Sequence, residues 1–405
     1  MVRSKNVDPK SIKNILTLRY NPTKESLIPK LGWKSFVEKP AEDPVGFAEN
    51  LMVSKIKKSI KNSKNTKVSI ALSSGVDSTL VLSLLKKTCP DVSIRAISIK
   101  FADSTDESES AANIARKFDV DHHVVYLENY LKELPAAIKI IKLPFWDLHW
   151  YHVVKKARSL GSSLVSGDGG DELFGGYTFR YEKFLSLTTN RSSPLTKAQA
   201  YLKCHERDWV PDQQELFGKK ASFSWKKIYK QLLPYFDNPL PRLSQVFLAD
   251  FNGKLLYNWL PLNTRFHAHF GVKPVTPILS KEMISFATHI PVEQKYDEEK
   301  NIGKLLLRKI LQKHSLEKLI IKKKQGFSIN TINLWESFGY GLCDYYLDDA
   351  RTIQNGLINK NWVDKHFRKD LDDIRYVNKF LGVLALEIWY RMFVTKEMKS
   401  TTVFS

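Results

Sequence analysis

Residues 67–87 read KVSIALSSGVDSTLVLSLLKK and join a strand, a turn and a helix in one short stretch. The apolar run from Val68 to Leu72 is typical of a strand buried on both faces of a parallel sheet. The small residues from Ser73 to Gly75 then allow a tight turn, after which the N–H groups at a helix start would point outward. The sequence therefore predicts a strand, a Gly/Ser turn and a helix in direct succession.

The predicted helix start is suited to binding an anion. Its N–H groups and the helix dipole favour a phosphate, and the hydroxyls of Ser73, Ser78 and Thr79 add donors. Asp77 would repel that phosphate unless a divalent cation lay between them, so its presence favours magnesium and a polyphosphate. The alternative is that Asp77 only caps the helix and that the turn is an ordinary one.

Predicted strands and helices alternate after this unit. Strands are predicted at 94–101, 122–127 and 162–166, and helices at 111–118, 131–141 and 146–160. With right-handed crossovers this alternation predicts an α/β fold with a doubly wound parallel sheet, whose ligands bind at the carboxyl ends of the strands. Four segments are predicted: an irregular or short-stranded lead-in (1–45), an α/β core (46–180), a mostly helical part packed on it (181–395), and a tail (396–405).

The composition of the 405-residue chain is that of a folded protein, with 43% hydrophobic residues. Cys89, Cys204 and Cys343 show no metal-ligand spacing, so we expect buried apolar thiols in a reducing compartment. No apolar run approaches the length of a membrane span and the N-terminus lacks a signal-peptide core, so we expect a cytoplasmic protein without a membrane partner. The formal charge of +20 favours polyanions and leaves a nucleic-acid partner open, although lysine runs are usually solvated surfaces.

A second glycine-rich stretch, SGDGGDELFGGY at 166–177, directly follows the fourth predicted strand. Five glycines among three acids are costly to order, so a plain surface loop explains the stretch poorly. Asp168, Asp171 and Glu172 would gather negative charge opposite the phosphate turn. A calcium loop is the alternative, but the EF-hand spacing is absent.

Together, SSGVDST and SGDGGDELFGGY resemble the synthetase domain of the asparagine synthetase family, whose SGGxDS loop is that of the N-type ATP pyrophosphatases. Ser74 stands where the family usually has its first glycine. Shorter similarities occur in the family's order: FADSTDES at 101–108, DHH at 121–123, PFWD at 144–147 and KQGF at 324–327. The resemblance runs from about residue 45 to about residue 395.

The resemblance implies a site for ATP with Mg²⁺ as cofactor. It places the ATP phosphates at Ser73, Ser74, Gly75, Asp77, Ser78 and Thr79, and the adenosine at Leu72, Ile99, Ser166 and Gly167. It assigns Mg²⁺ to Asp77 and Asp171, the departing pyrophosphate to Lys324, and a catalytic acid near the acyl centre to Asp168, with Glu172 beside it.

The implied reaction forms an amide. The carboxylate of a small molecule attacks the α-phosphorus of ATP to give an acyl-adenylate, pyrophosphate leaves, and a nitrogen nucleophile attacks the acyl carbon. A glutamine-hydrolysing member begins with a mature N-terminal cysteine and a whole glutaminase domain, whereas here position 2 is Val and about 45 residues precede the similar part. We therefore expect no glutaminase activity, and a donor that is ammonia, an amine, or ammonia from a separate glutaminase subunit.

The segment 263–279 departs from the family's VDRxxMAxSLEVRxPFL, with Thr264 in place of Asp and Lys273 in place of Glu. A lysine there would neutralise a second acidic group of the substrate or pair with Asp168, so an acyl substrate other than aspartate is one expectation. The alternative is a slip of the alignment near Pro274, which would leave Lys273 on the surface.

Two other classes of function stay open. A tRNA-modifying ATP pyrophosphatase shares the SGGxDS loop and is often basic, but the GDGGDELFGGY and KQGF matches and the lack of a CxxC pair argue against it. A non-catalytic paralogue that binds nucleotide as a partner subunit would explain Thr264 and Lys273, although Asp77, Asp171 and Lys324 are retained.

Overall fold

The computed structural model describes residues 7–102, 108–205, 209–320, 330–369 and 372–405. The strands are β1 (Lys67–Ala71), β2 (Ser93–Phe101), β3 (Asp121–Leu127), β4 (Ser163–Val165), β5 (Lys273–Val275), β6 (Tyr296–Asp297) and β7 (Ile302–Gly303). The helices of the first half are α1 (Pro9–Leu18), α2 (Pro44–Ser59), α3 (Val76–Thr88), α4 (Ser108–Lys117), α5 (Leu134–Ile141), α6 (His149–Leu160), α7 (Gly170–Phe174), α8 (Thr178–Leu187) and α9 (Pro194–Lys203). Those of the second half are α10 (Trp225–Phe236), α11 (Arg242–Asp250), α12 (Leu260–Phe270), α13 (Lys281–His289), α14 (Leu305–Lys313), α15 (Thr331–Leu334), α16 (Tyr340–Asp348), α17 (Arg351–Gln354), α18 (Lys360–His366) and α19 (Ile374–Tyr390).

Five parallel strands form the main sheet in the order β3-β2-β1-β4-β5, which confirms the predicted doubly wound α/β fold. The order reverses direction between β1 and β4, and ligands of such sheets bind at this switch point. Two apolar cores cover the two faces of the sheet. Val68 and Ile70 pack into one core and Ala71 and Ile97 into the other. Both loops singled out in the sequence lie at the carboxyl edge of β1 and β4.

The fifth strand comes from the part that was predicted to be mostly helical. β5 pairs with β4, with Val165 opposite Val275, and so completes the sheet from the other half of the sequence. Its three residues are too few to show alternation, and Pro274 argues against a strand except at a sheet edge, where β5 lies.

The lead-in is also more regular than predicted, because Pro9–Leu18 is an α-helix. The Asp8 side chain accepts hydrogen bonds from the N–H groups of Lys10 and Ser11, and Pro9 stands at the start of the helix, where its missing N–H costs nothing. The capping pattern of Asp8 and Pro9 is visible in the sequence, but the many prolines of the segment favour an irregular chain.

Apart from β5, β6 and β7, the second half is mostly helical, as predicted. A π-helical stretch, Phe251–Trp259, joins α11 to α12, and a shorter one, Arg391–Thr395, continues α19. All three cysteines are buried, as predicted. Within the described ranges, no helix is both long enough and apolar enough to cross a membrane.

Candidate active site

The turn after β1 is held by hydroxyl groups. Ser78 Oγ lies 3.0 Å from Ser73 Oγ and donates to the Ser73 carbonyl over 2.9 Å, while the Gly75 N–H donates to Ser73 Oγ over 3.2 Å. Gly75 is the N-cap residue of α3 and has no side chain to cap it, so the first N–H groups of the helix face the turn. Thr79 is fully buried, which directs its hydroxyl into the interior.

Next to this turn, β2 extends beyond β1. β1 ends at Ala71 opposite Ile97, whereas β2 pairs with β3 as far as Phe101. The Leu72 N–H still donates to the Ile97 carbonyl (2.9 Å), and Ser98 Oγ donates to the Leu72 carbonyl (2.7 Å). The β2 backbone from Ile99 onward therefore has an edge that β1 does not cover, and a flat heterocycle can hydrogen-bond to such an edge.

The glycines of the second loop let it press against the first. A Cβ atom on Gly167 would lie 2.6 Å from the Asp77 Cβ, and one on Gly170 would overlap the Asp77 carboxylate. Gly169 has φ of +89°, a conformation that favours glycine. The close approach of loop and turn thus requires these glycines, and this requirement explains why the chain has so many of them here despite their cost in backbone entropy.

Asp77 and Asp171 meet around the ammonium group of Lys304. Lys304 Nζ contacts Asp77 Oδ2 and lies 2.7 Å from Asp171 Oδ1, and only 7% of its side chain is exposed. Burial alone would lower the pKa of Lys304, but the charges of Asp171 and Asp77 outweigh it and hold the pKa above its ordinary value. The lysine is therefore a cation fixed between two carboxylates.

The backbone places Lys304 there at some cost. Its φ of 59° is in the left-handed region, which a lysine rarely adopts. Its N–H donates to the Phe174 carbonyl over 3.0 Å and its carbonyl accepts from the Arg308 N–H over 2.9 Å. The hairpin of β6 and β7 leads directly into it. The lysine is thus anchored on α7 on one side and at the start of α14 on the other.

Asp168 lies on the other side of the loop, close to α12. Its Oδ2 accepts hydrogen bonds from Ser166 Oγ (2.8 Å) and Asn263 Nδ2 (2.9 Å). Burial raises the pKa of Asp168 to about 7 despite the Ser166 hydrogen bond, and the charge of Glu172 adds to the effect. At neutral pH this carboxyl group is poised between its charged and neutral forms, as a group that exchanges protons must be.

Glu172 is buried beneath the same loop. Its Oε1 accepts a hydrogen bond from the Tyr177 hydroxyl over 2.6 Å, and burial, followed by the charge of Asp171, raises its pKa. Behind it, Arg180 and Asp250 form a buried ion pair of 2.6 Å. Glu172 is therefore placed to support the loop from the interior.

The structure contradicts the pairing suggested for Lys273. This residue begins β5, opposite Ser163, at the far end of the strand from Asp168. Its Nζ donates to the Ser59 carbonyl over 2.7 Å and the residue is exposed, which fits the alternative of a surface position. Thr264 is exposed on α12, whereas the neighbouring Asn263 is the residue that reaches Asp168. Lys324 and residues 103–107 lie outside the described residues.

Two residues of this site were missed in the sequence. Lys304 follows a glycine at the start of a helix, and that pattern is too common to single out a lysine in a lysine-rich chain. Asn263 directly precedes Thr264, and the departure from the family's motif concerns Thr264, so the sequence gives no signal for the asparagine. Only the folded hairpin and α12 show that both side chains point into the cluster of acids.

The residues present fit a magnesium ion. Among the described residues no group of three or more carboxylate, His or Cys side chains gathers around one point. Asp77 and Asp171, however, already enclose a positive charge, and Mg²⁺ typically takes one or two carboxylates and completes its shell with water and substrate phosphate. The lysine ammonium shows that the space between the carboxylates suits a cation.

The parallel sheet, its switch point and the two loops at its carboxyl edge define a doubly wound α/β protein. Residues 55–391 match the family described as Asparagine synthase, and the chain belongs to that family.

Individual relatives are more distant. The chain is 25% identical over 406 residues to the glutamine-hydrolyzing asparagine synthetase 1 of Bacillus subtilis, covering 87% of this chain and 61% of that protein. It therefore spans about three fifths of that relative's length.

Solved structures that resemble the chain do so weakly. The U34-tRNA thiolase NcsA of Methanococcus maripaludis is 13% identical with a TM-score of 0.29, covering 84% of this chain and 80% of that one. The NH3-dependent NAD synthetase of Campylobacter jejuni is 15% identical with a TM-score of 0.25, covering 52% and 98%.

Proposed function

We propose that the protein is an ATP-dependent carbon–nitrogen ligase that activates a carboxylate as an acyl-adenylate and then forms an amide. The observation that carries this proposal is the convergence of Asp77 and Asp171 on one buried cation, directly beside the Gly/Ser turn of α3. A Gly/Ser turn at a helix start, a pair of carboxylates and the switch point of the sheet lie together, and this arrangement supports the binding of a polyphosphate such as that of ATP.

ATP would bind along this edge of the sheet. The phosphates would receive hydrogen bonds from the first N–H groups of α3 and from the Ser73 and Ser78 hydroxyls, which lie 3.0 Å apart. The adenine would pair with the uncovered edge of β2 at Ile99. Asp77 and Asp171 would hold Mg²⁺, which neutralises phosphate charge and makes pyrophosphate a better leaving group.

Asp168 would act as the general base in the second step, the formation of the amide. In that step the nitrogen bonds to the acyl carbon, the bond from this carbon to AMP breaks so that AMP leaves, and the nitrogen loses a proton. A carboxyl group whose pKa is about 7 can accept this proton near neutral pH. The hydrogen bonds from Ser166 and Asn263 orient the carboxylate for that role. By the family resemblance, Lys324 would stabilise the departing pyrophosphate.

Aspartate with ammonia is the first substrate pair to test. The expectation of a different acid depended on Lys273 lying beside the acyl centre, and its side chain instead contacts Ser59 on the surface. A separate glutaminase subunit could supply the ammonia. In this proposal the lysines and arginines that give the formal charge of +20 lie on a solvated surface and bind no nucleic acid.

The test is ATP–pyrophosphate exchange measured across a panel of carboxylic acids with aspartate included. We expect exchange with at least one acid, and a loss of about 100-fold or more in Asp171→Asn, since electrostatic groups of this kind contribute that much. The control is Asp364→Asn, which removes an exposed acid paired with Lys360 on α18. Unchanged exchange in Asp171→Asn, or AMP formation that depends on added RNA, would refute the proposal.

A further inference from the structure

Lys304 occupies the space in which the proposed site must hold its metal ion. Its ammonium group contacts one oxygen of Asp77 and one of Asp171, and the surrounding space is closed by glycines. A Cβ atom on Gly176 would overlap Asp171 and lie 2.5 Å from the Cε of Lys304, and one on Gly170 would overlap Asp77. Because both carboxylates contact the same ammonium group, a metal ion held between them would have to displace it.

We propose that Lys304 and the divalent cation compete for Asp77 and Asp171, so that the free protein excludes the metal until a nucleotide arrives with it. This inference rests on the proposed function, since it takes the two aspartates to be the metal ligands. It assigns Lys304 a positioning role: the lysine preserves the carboxylate pair in the absence of substrate and sets the order in which metal and nucleotide bind.

The electrostatics favour this order. If Mg²⁺ alone replaced the ammonium between the carboxylates, Lys304 would remain almost fully buried next to a second cation and would lose both of its carboxylate contacts. A buried charge that loses its counter-charge is strongly unfavourable. A nucleotide changes the balance because its phosphates bring negative charge into the same space and offer the displaced ammonium new acceptors.

The backbone keeps the lysine from leaving the site altogether. Hydrogen bonds at both its N–H and its carbonyl fix Lys304 between Phe174 and Arg308, and the hairpin of β6 and β7 ends directly before it. Only the side chain can move. The exchange of partners must therefore occur within the reach of one lysine side chain.

The first experiment measures Mn²⁺ binding without nucleotide by electron paramagnetic resonance. We expect the native protein to bind Mn²⁺ at this site too weakly to saturate, and Lys304→Gln to bind it at least about tenfold more tightly, because the competing cation is gone. Lys300→Gln is the matched control: Lys300 lies four positions earlier, is 71% exposed and pairs only loosely with Asp297 (3.7 Å). Equal Mn²⁺ affinity in the native protein and Lys304→Gln would overturn the inference.

The second experiment needs only the native protein and therefore does not depend on the folding of a variant. We expect Mg²⁺ alone to leave the melting temperature unchanged, and Mg²⁺ with ATP to raise it beyond the effect of ATP in a chelator. A saturable rise with Mg²⁺ alone would overturn the inference.

Neither experiment requires turnover, so the outcome can be separated from that of the exchange assay. Competition for Mn²⁺ without pyrophosphate exchange would support the inference and refute the ligase. If neither the native protein nor Lys304→Gln bound Mn²⁺ even with ATP present, the aspartates would not be metal ligands and the inference would fail with that assignment.

Discussion

Replacing Asp168 by Asn should change how the stability of the protein depends on pH. The unfolded chain loses the Asp168 proton near pH 3.8, whereas the folded protein retains it until about pH 7. Between these values the folded state binds more protons, so this group makes folding less favourable as the pH rises. The cost reaches its full size above pH 7 and is absent below pH 4.

The size of the effect follows from the two pKa values. At about 1.4 kcal/mol for each pH unit, the gap corresponds to about 4 kcal/mol. Asp168 keeps part of its surface in contact with solvent, which weakens the effect of burial, so we take about 2 kcal/mol as the lower value of this cost in folding free energy. Asn cannot ionise, so the stability of Asp168→Asn relative to the native protein should increase by ~2–4 kcal/mol between pH 4 and pH 8.

Urea unfolding at several pH values measures this difference directly. The stability difference should rise from pH 4 to pH 7 and then level off, with an unchanged dependence on urea concentration. The control is Glu298→Gln, which makes the same kind of change at an exposed acid. Parallel stability curves for Asp168→Asn and the native protein would show that Asp168 ionises normally and would remove the basis for its role as a base.

Further predictions concern the loop, the ion pair behind it and β5. Gly176→Ala should abolish ATP–pyrophosphate exchange because the new methyl group overlaps the Asp171 carboxylate and crowds Lys304. Its control is Gly341→Ala in α16, where the space around the glycine is open. This variant should keep its activity, and its free energy of unfolding should rise by about 0.5–1 kcal/mol in urea or thermal unfolding. Arg180→Met should destabilise the protein by about 3–5 kcal/mol in urea unfolding, because it leaves the Asp250 carboxylate buried without its partner. Lys273→Glu should leave aspartate-dependent AMP formation within about twofold of native, and a change of preferred acid would contradict the surface position found for this residue.

The sequence predicts the structure best where residues close together in the chain determine it. The alternation of strands and helices predicted the sheet, and the first glycine-rich turn marked the start of α3 within one or two residues. The position of Asp77 in the turn after the first strand predicts a carboxylate that binds a divalent cation, and the family resemblance implies Asp171 as its partner. The structure brings them together around one cation, although their role in metal binding stays a proposal.

What the sequence could not show depends on contacts between distant segments. Lys304 acquires its importance from a hairpin of two-residue strands, and such strands carry no periodic signal. Asn263 faces Asp168 because of how α12 is rotated about its axis. Packing determines this rotation, and the family's sequence motif does not show it. The position of Lys273 at the start of β5 likewise depends on the register between β4 and β5, which a three-residue strand does not specify in sequence.

The origin of β5 in the second half of the chain bears on how the protein folds during synthesis. About a hundred residues separate β4 from β5, so the ribosome must release the chain as far as β5 before the sheet can close. Until then β4 is an open edge with an apolar surface, a structure prone to pairing with other chains. Fragments that stop near residue 180 should therefore aggregate, and a translational pause before residue 273 would prolong the period in which a chaperone is needed.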